Sequence, residues 1–134
     1  MYSFSTQLKG DIASIEPGVI AALKEEGFGV LTEIDIKATL KKKLDIDHRP
    51  YKILGACNPP LAHKALDAEP DIGLLLPCNV VIREDADHST VVSFMDPSAV
   101  LTLVERDDIK ELAGEVRQRL IRVRDALGGD FINE

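Results

Sequence analysis

The chain opens with strict alternation: Tyr2, Phe4, Thr6 and Leu8 share one parity against polar neighbours, a pattern that predicts a short strand with one buried face. Lys9-Gly10-Asp11 breaks it, and Ile15, Val19, Ile20 and Leu23 then recur at helical spacing. Pro17 is tolerable in the first turn and Gly27 is placed to end a helix spanning about 13–26 in a left-handed cap. From 28 to 36 the period returns to two. Phe28, Val30, Ile34 and Ile36 share a parity, which puts Glu33 and Asp35 together on the opposite, wetter face of a strand. A short lysine-rich helix over 37–44 and a loop through Pro50 follow.

Residues 51–57 are apolar at nearly every position, as in a strand buried on both faces. The strand runs without a linker into Asn58-Pro59, an N-cap followed by a proline at the first helical position, and Leu61, Ala62, Ala65 and Leu66 supply the stripe of a helix ending at Pro70. Ile72, Leu74, Leu76, Cys78, Val80 and Ile82 alternate in register, which predicts a strand over 72–84 with a bulge or edge at Pro77. A polar turn at 85–89 and a strand over 90–95 complete a hairpin. Asp96-Pro97 starts a short helix through about Val104. The last helix, from Asp107, carries Ile109, Leu112, Ala113, Val116, Leu120, Val123 and Leu127 on one side and charge on the other, and Gly128-Gly129 stops it.

Composition narrows the functional classes. At 134 residues the chain is long enough for one core and too short for two, so a single domain over 1–134 is expected. A net charge of −7 repels nucleic acid and anionic lipid. Four Phe, two Tyr and no Trp, mostly at core positions, leave no platform for stacking bases. The longest apolar stretch, 72–82, is about half a membrane span, and the N-terminus lacks a basic start followed by an apolar run. The expectation is a cytoplasmic protein that binds neither nucleic acid nor membrane. Two cysteines are too few for a secreted disulfide framework.

The candidate chemistry gathers at the strand-to-helix junction. Cys57 directly precedes a helix N-terminus, whose unpaired amides and dipole favour a thiolate, and Asn58 beside it can orient an incoming anion. The inert alternative is a core thiol, because Cys57 shares parity with Ile53. Cys78-Asn79 repeats the pair, and the two would meet if strands 51–57 and 72–84 are neighbours; without a C-x-x-C spacing, two separate structural cysteines compete with a redox dithiol. Glu33 and Asp35 resemble a general acid/base pair if a cleft covers them and a solvated strand face if none does. His63 could join the cysteines around a ligand, yet it lies off the apolar stripe and no fourth ligand has diagnostic spacing, so no metal site is assigned. The lysines at 37 and 41–43, with His48 and Arg49, form a basic patch that could receive an anionic ligand or an acidic partner, though a solvated helix face is the simpler reading. No glycine-rich phosphate loop and no cofactor motif occur.

The segments GFGVLTEIDIKATLKKKL (27–44), ILGACNPPLAHKAL (53–66), LLLPCNVVI (74–82) and VSFMDP (92–97) resemble the successive signature segments of the family known as domain of unknown function 302. The resemblance covers nearly the whole chain. It implies an α+β fold with a curved, mainly antiparallel sheet and helices packed on it, and a homodimer. It implies no reaction, cofactor or substrate. Three classes therefore stand at this level: a domain that binds a small molecule or anion near Cys57-Asn58, a thiol-dependent redox or transfer enzyme using Cys57 with or without Cys78, and a structural dimer.

Overall fold

In a computed structural model, described for residues 1–132, six antiparallel strands form one sheet in the order β2-β3-β4-β5-β1-β6. The strands are β1 (Ser3–Leu8), β2 (Gly29–Asp35), β3 (Tyr51–Cys57), β4 (Cys78–Glu84), β5 (Thr90–Met95) and β6 (Asp130–Ile132). The helices are α1 (Ile12–Glu25), α2 (Ile36–Leu44), α3 (Pro59–Ala68), α4 (Pro97–Val100) and α5 (Asp107–Leu127). This is an α+β fold, as the family resemblance implies. No helix among the described residues is long and apolar enough to cross a membrane.

Amphipathic pattern decides the layering. Val19 and Leu23 of α1 and Val116, Leu120 and Val123 of α5 pack on Phe4, Leu54, Val80, Ile82, Val92 and Phe94, the residues of one parity on the four central strands. Phe4 and Phe94 lie directly opposite in the β1–β5 ladder and stack at 5.6 Å. The other sheet face carries smaller and more polar residues, including Ser5 and Ser93, whose hydroxyls meet at 2.7 Å. Strand β3 is thus covered by helices on one face only: Leu54, Gly55 and Ala56 are buried while Tyr51 and Ile53 are half-buried, where the sequence suggested burial on both. A second, smaller core joins Ala65 of α3 with Ile72, Leu101, Ile109 and Ala113.

Three departures from the sequence reading have physical causes. Residues 72–76 are not strand; Pro70–Leu75 is a 3₁₀ helix and β4 begins at Cys78. Pro70 suits a helical start, and Ile72 and Leu75, three residues apart, turn the same way into the second core while Leu74 is 87% exposed. The Leu76–Pro77 peptide between the two elements is cis. Second, β2 contains a bulge between Val30 and Thr32. Val30 therefore pairs with core-facing Ala56, but after the bulge Ile34 pairs with Ile53 on the outer face and Glu33 with Leu54 on the helix side, so the shared parity of Val30 and Ile34 is lost. Third, β6 follows Gly128-Gly129, both at positive φ, and pairs with β1 from Ser5 to Gln7. A Cβ on Gly129 would stand 2.4 Å from the Gln7 carbonyl, so only glycine allows the chain to turn this close to the sheet.

Candidate functional site

At the end of the sheet where β3 gives way to α3, the two cores separate and leave a cavity of about 320 Å³. Its floor is Ala56 and Cys78, which face each other across the β3–β4 ladder. Leu61 and Ala65 of α3 form one wall, Leu112 and Val116 of α5 the back, and Gly73, Leu76 and Pro77 from the segment before β4 the side. Leu31 on the bulge and Leu66 on α3, 66% and 41% exposed, mark the mouth. No charged side chain lines it.

Asn58 holds this junction together. Its Oδ1 accepts from the Leu61 amide at 3.4 Å, the N-cap read from the sequence, and its Nδ2 donates to the carbonyl of Glu26 at 3.3 Å. Gly27, at φ +84°, lies against the Asn58 amide; a Cβ there would come within 3.0 Å of Nδ2. The same Glu26 carbonyl accepts from Arg119 Nη1 at 3.1 Å, and the Glu26 carboxylate pairs with Arg122 at 2.8 Å. One side chain thus ties the end of α1 to the start of α3, and α5 clamps the joint. With both ends of its amide engaged and Asn58 only 8% exposed, the side chain supports the wall.

Both cysteines line the cavity, Cys78 buried and Cys57 half-buried. β3 and β4 are neighbours, so the condition set by the sequence for the two Cys-Asn pairs to approach is met. Their chemistry is nevertheless that of protonated thiols. Burial pushes the Cys57 thiol up, against the direction in which the helix N-terminus acts. Burial, reinforced by the nearby Cys57, pushes Cys78 to about 12.

The remaining candidates lie outside the cavity. Asn79 is exposed on the outer sheet face, in a separate pocket of about 400 Å³ with Tyr2, Arg83 and Ser93. His63 points to solvent and meets Asp67, one turn on, at 3.5 Å. Glu33 pairs with Lys52 at 2.7 Å, and Lys52 also meets Glu16 of α1 at 3.1 Å; the two carboxylates hold the ammonium proton and raise the Lys52 pKa. Asp35 caps α2 through the Ala38 amide at 2.9 Å. Glu33 and Asp35 therefore act as an ion-pair partner and a helix cap at the sheet edge. In the basic patch, Lys41 meets Asp45 and Asp47 at 3.0 and 3.2 Å. Among the described residues no group of three or more His, Cys, Asp or Glu side chains is placed to hold a metal.

The family model for the domain of unknown function DUF302 matches residues 4–127. The chain belongs to the DUF302 family. The DUF302 fold described above is also that of a crystal structure of an uncharacterized conserved DUF302 protein from Bacillus stearothermophilus, which is 26% identical, has a TM-score of 0.88, and matches over 96% of this chain and 99% of that one. No curated protein matches the chain. The matched span runs from β1 to the end of α5 and so contains every wall of the cavity.

Sequence reasoning found the junction but not the cavity. Thr32, Leu101, Leu112 and Val116 were read as strand or helix positions with no functional role; they are 84 residues apart at the extremes, and only the fold brings them together. The available signal was the stripe of α5, in which Leu112 and Val116 stand one turn apart.

Proposed function

We propose that this DUF302 domain binds a small, predominantly apolar molecule in the cavity at the β3–α3 junction. The observation that carries the reading is the lining: a concave space of about 320 Å³ walled almost wholly by aliphatic side chains and two neutral thiols, without a single charged group. Apolar surface placed there leaves water, at about 25 cal/mol for each Å² buried. The size falls at the lower end of small-molecule sites. Taking about 30 Å³ for each non-hydrogen atom, the share of one water in the liquid, the space suits a ligand of roughly ten such atoms. An anion is disfavoured here, because no cationic side chain in the lining offsets the cost of removing a charge from water.

A thiol enzyme is the less favoured reading, since both thiols are held protonated by burial and neither has a base or cationic neighbour in the lining. The cavity reading is tested with toluene, followed by amide chemical shifts. Saturable changes are expected at Cys57, Leu61, Leu112 and Val116. The variant Ala62→Phe, which projects a ring into the space from the α3 wall, is expected to bind toluene at least about tenfold more weakly while remaining folded. Wild-type protein that shows no saturable change would sink the proposal.

A further inference from the structure

Two apolar surfaces of opposite charge stand uncovered on this fold. The first is α2, which has no buried residue. A nine-residue helix is too short to be stable alone and normally depends on packing its apolar face. Here only Ile36, Thr39 and Leu40 are half-buried, while Leu44 and, just beyond the helix, Ile46 are exposed. Lys37, Lys42 and Lys43 are exposed as well and form no salt bridge among the described residues.

The second surface is a depression of about 450 Å³ between the 3₁₀ segment Pro70–Leu75 and the turn that follows α4. Leu74, Leu75, Leu103 and Val104 are its apolar part, and Leu74 and Leu103, 87% and 74% exposed, are the most exposed leucines among the described residues. Glu69, Asp71 and Glu105 share the lining and form no salt bridge among the described residues. Arg106, also there, is held by Asp108 at 2.9 Å and by the Ala68 carbonyl. No ion pair joins the lysines of α2 to these carboxylates within the chain. The seven residues of β3, about 20 Å of strand, separate the sheet end that carries α2 from the end that leads into α3.

We infer that α2 of one copy docks in the Leu74–Leu103 depression of a second copy, with Leu44 and Ile46 on the two leucines and the free lysines facing Glu69, Asp71 and Glu105. Charge selects this occupant. Copies with a net charge of −7 repel on average, so they associate only where a basic surface of one meets an acidic surface of the other. The matching basic, apolar helix is on the chain itself and is left uncovered there. Because the two surfaces differ, the contact runs head to tail. Nine helical residues cover less than a standard interface, so the association is weak and sensitive to salt. The contact is independent of what the cavity binds.

The test is sedimentation velocity of the full chain over a concentration series into the millimolar range, with two double variants of exposed residues, Lys42→Glu/Lys43→Glu and Leu74→Ser/Leu103→Ser. Wild-type protein is expected to associate at low salt, and at least about tenfold more weakly once salt screens the charges. Each variant alone should sediment as a monomer, because it lacks one half of every contact. An equimolar mixture should recover a one-to-one complex, since it holds one intact α2 and one intact depression. Thermal midpoints equal to wild type establish that the variants are folded, and the single changes Lys43→Glu and Leu103→Ser replace a double variant that unfolds. Wild-type protein that stays monomeric throughout, variants that associate as well as wild type, or a mixture that stays monomeric would each overturn the contact.

Discussion

Replacing Phe4 with alanine is expected to cost about 3–5 kcal/mol of folding stability, the usual range for removing a buried phenylalanine ring. Phe4 is 2% exposed and occupies the centre of the larger core, stacked on Phe94. Two guanidinium groups of α5 also lie over its ring, Arg117 at 5.7 Å and Arg124 at 5.6 Å from the centroid. Arg117 is oriented by Asp96 at 3.1 Å, and Arg124, 6% exposed, covers Phe131 of β6 at 4.1 Å as well. One ring therefore supports β1, β5, α5 and, through Arg124, the last strand. Urea denaturation measures the loss; Phe4→Leu, which keeps much of the volume, should cost clearly less. A loss below about 1 kcal/mol for Phe4→Ala would show that the core does not depend on this stack.

The second large effect is a loss of stability on the alkaline side, caused by Cys78. A thiol is neutral when protonated, and burial holds this one protonated to about 12 in the folded chain against an ordinary value of 9.0. Below pH 9 both folded and unfolded chains carry the proton, and the contribution of the buried thiol is complete. As pH rises from 9 towards 12, the unfolded chain releases the proton while the folded chain keeps it. Stability therefore falls through that window, by a total on the order of 4 kcal/mol. Denaturant midpoints measured across the lower part of the window should decline in wild-type protein and decline less steeply in Cys78→Ala. Equal slopes would mean that the thiol is better solvated than its place on the cavity floor indicates.

The legibility of the fold in the sequence varies with the kind of signal. The long helix α5 was readable because its apolar stripe recurs through five turns and its terminators, Gly128 and Gly129, both adopt positive φ. Asn58-Pro59 announced the start of α3, and the capping bond is there. By contrast, alternation of apolar residues from 72 to 76 suggested strand, yet six residues between two prolines satisfy a three-residue repeat as well as a two-residue one, and the second core decides between them. The bulge in β2 was illegible because an inserted residue leaves no mark in composition while reversing the parity of everything after it. Strand β6 is three residues long and owes its existence to the β1 edge, not to its own pattern.

The candidate site shows the same division. The sequence located Cys57 and Asn58 at the junction and added Cys78 only on condition that its strand is the neighbour of β3, which the ladder makes it. What it could not supply was the purpose of the junction. A helix N-terminus beside a cysteine suggested charge chemistry, whereas the fold sets both thiols in an apolar lining, Cys78 buried and Cys57 half-buried, and engages the asparagine internally. Burial raises the Cys57 thiol pKa. Glu33, Asp35, Asn79 and His63 each have a role or a solvent-facing place elsewhere.

The most direct test of the central claim is a crystal structure of the protein under xenon pressure, because xenon occupies dry apolar cavities and reports its position by anomalous scattering. The account predicts a strong xenon peak in the cavity, between Cys78, Leu112 and Val116. A cavity without xenon and filled by a chain of ordered waters would contradict it.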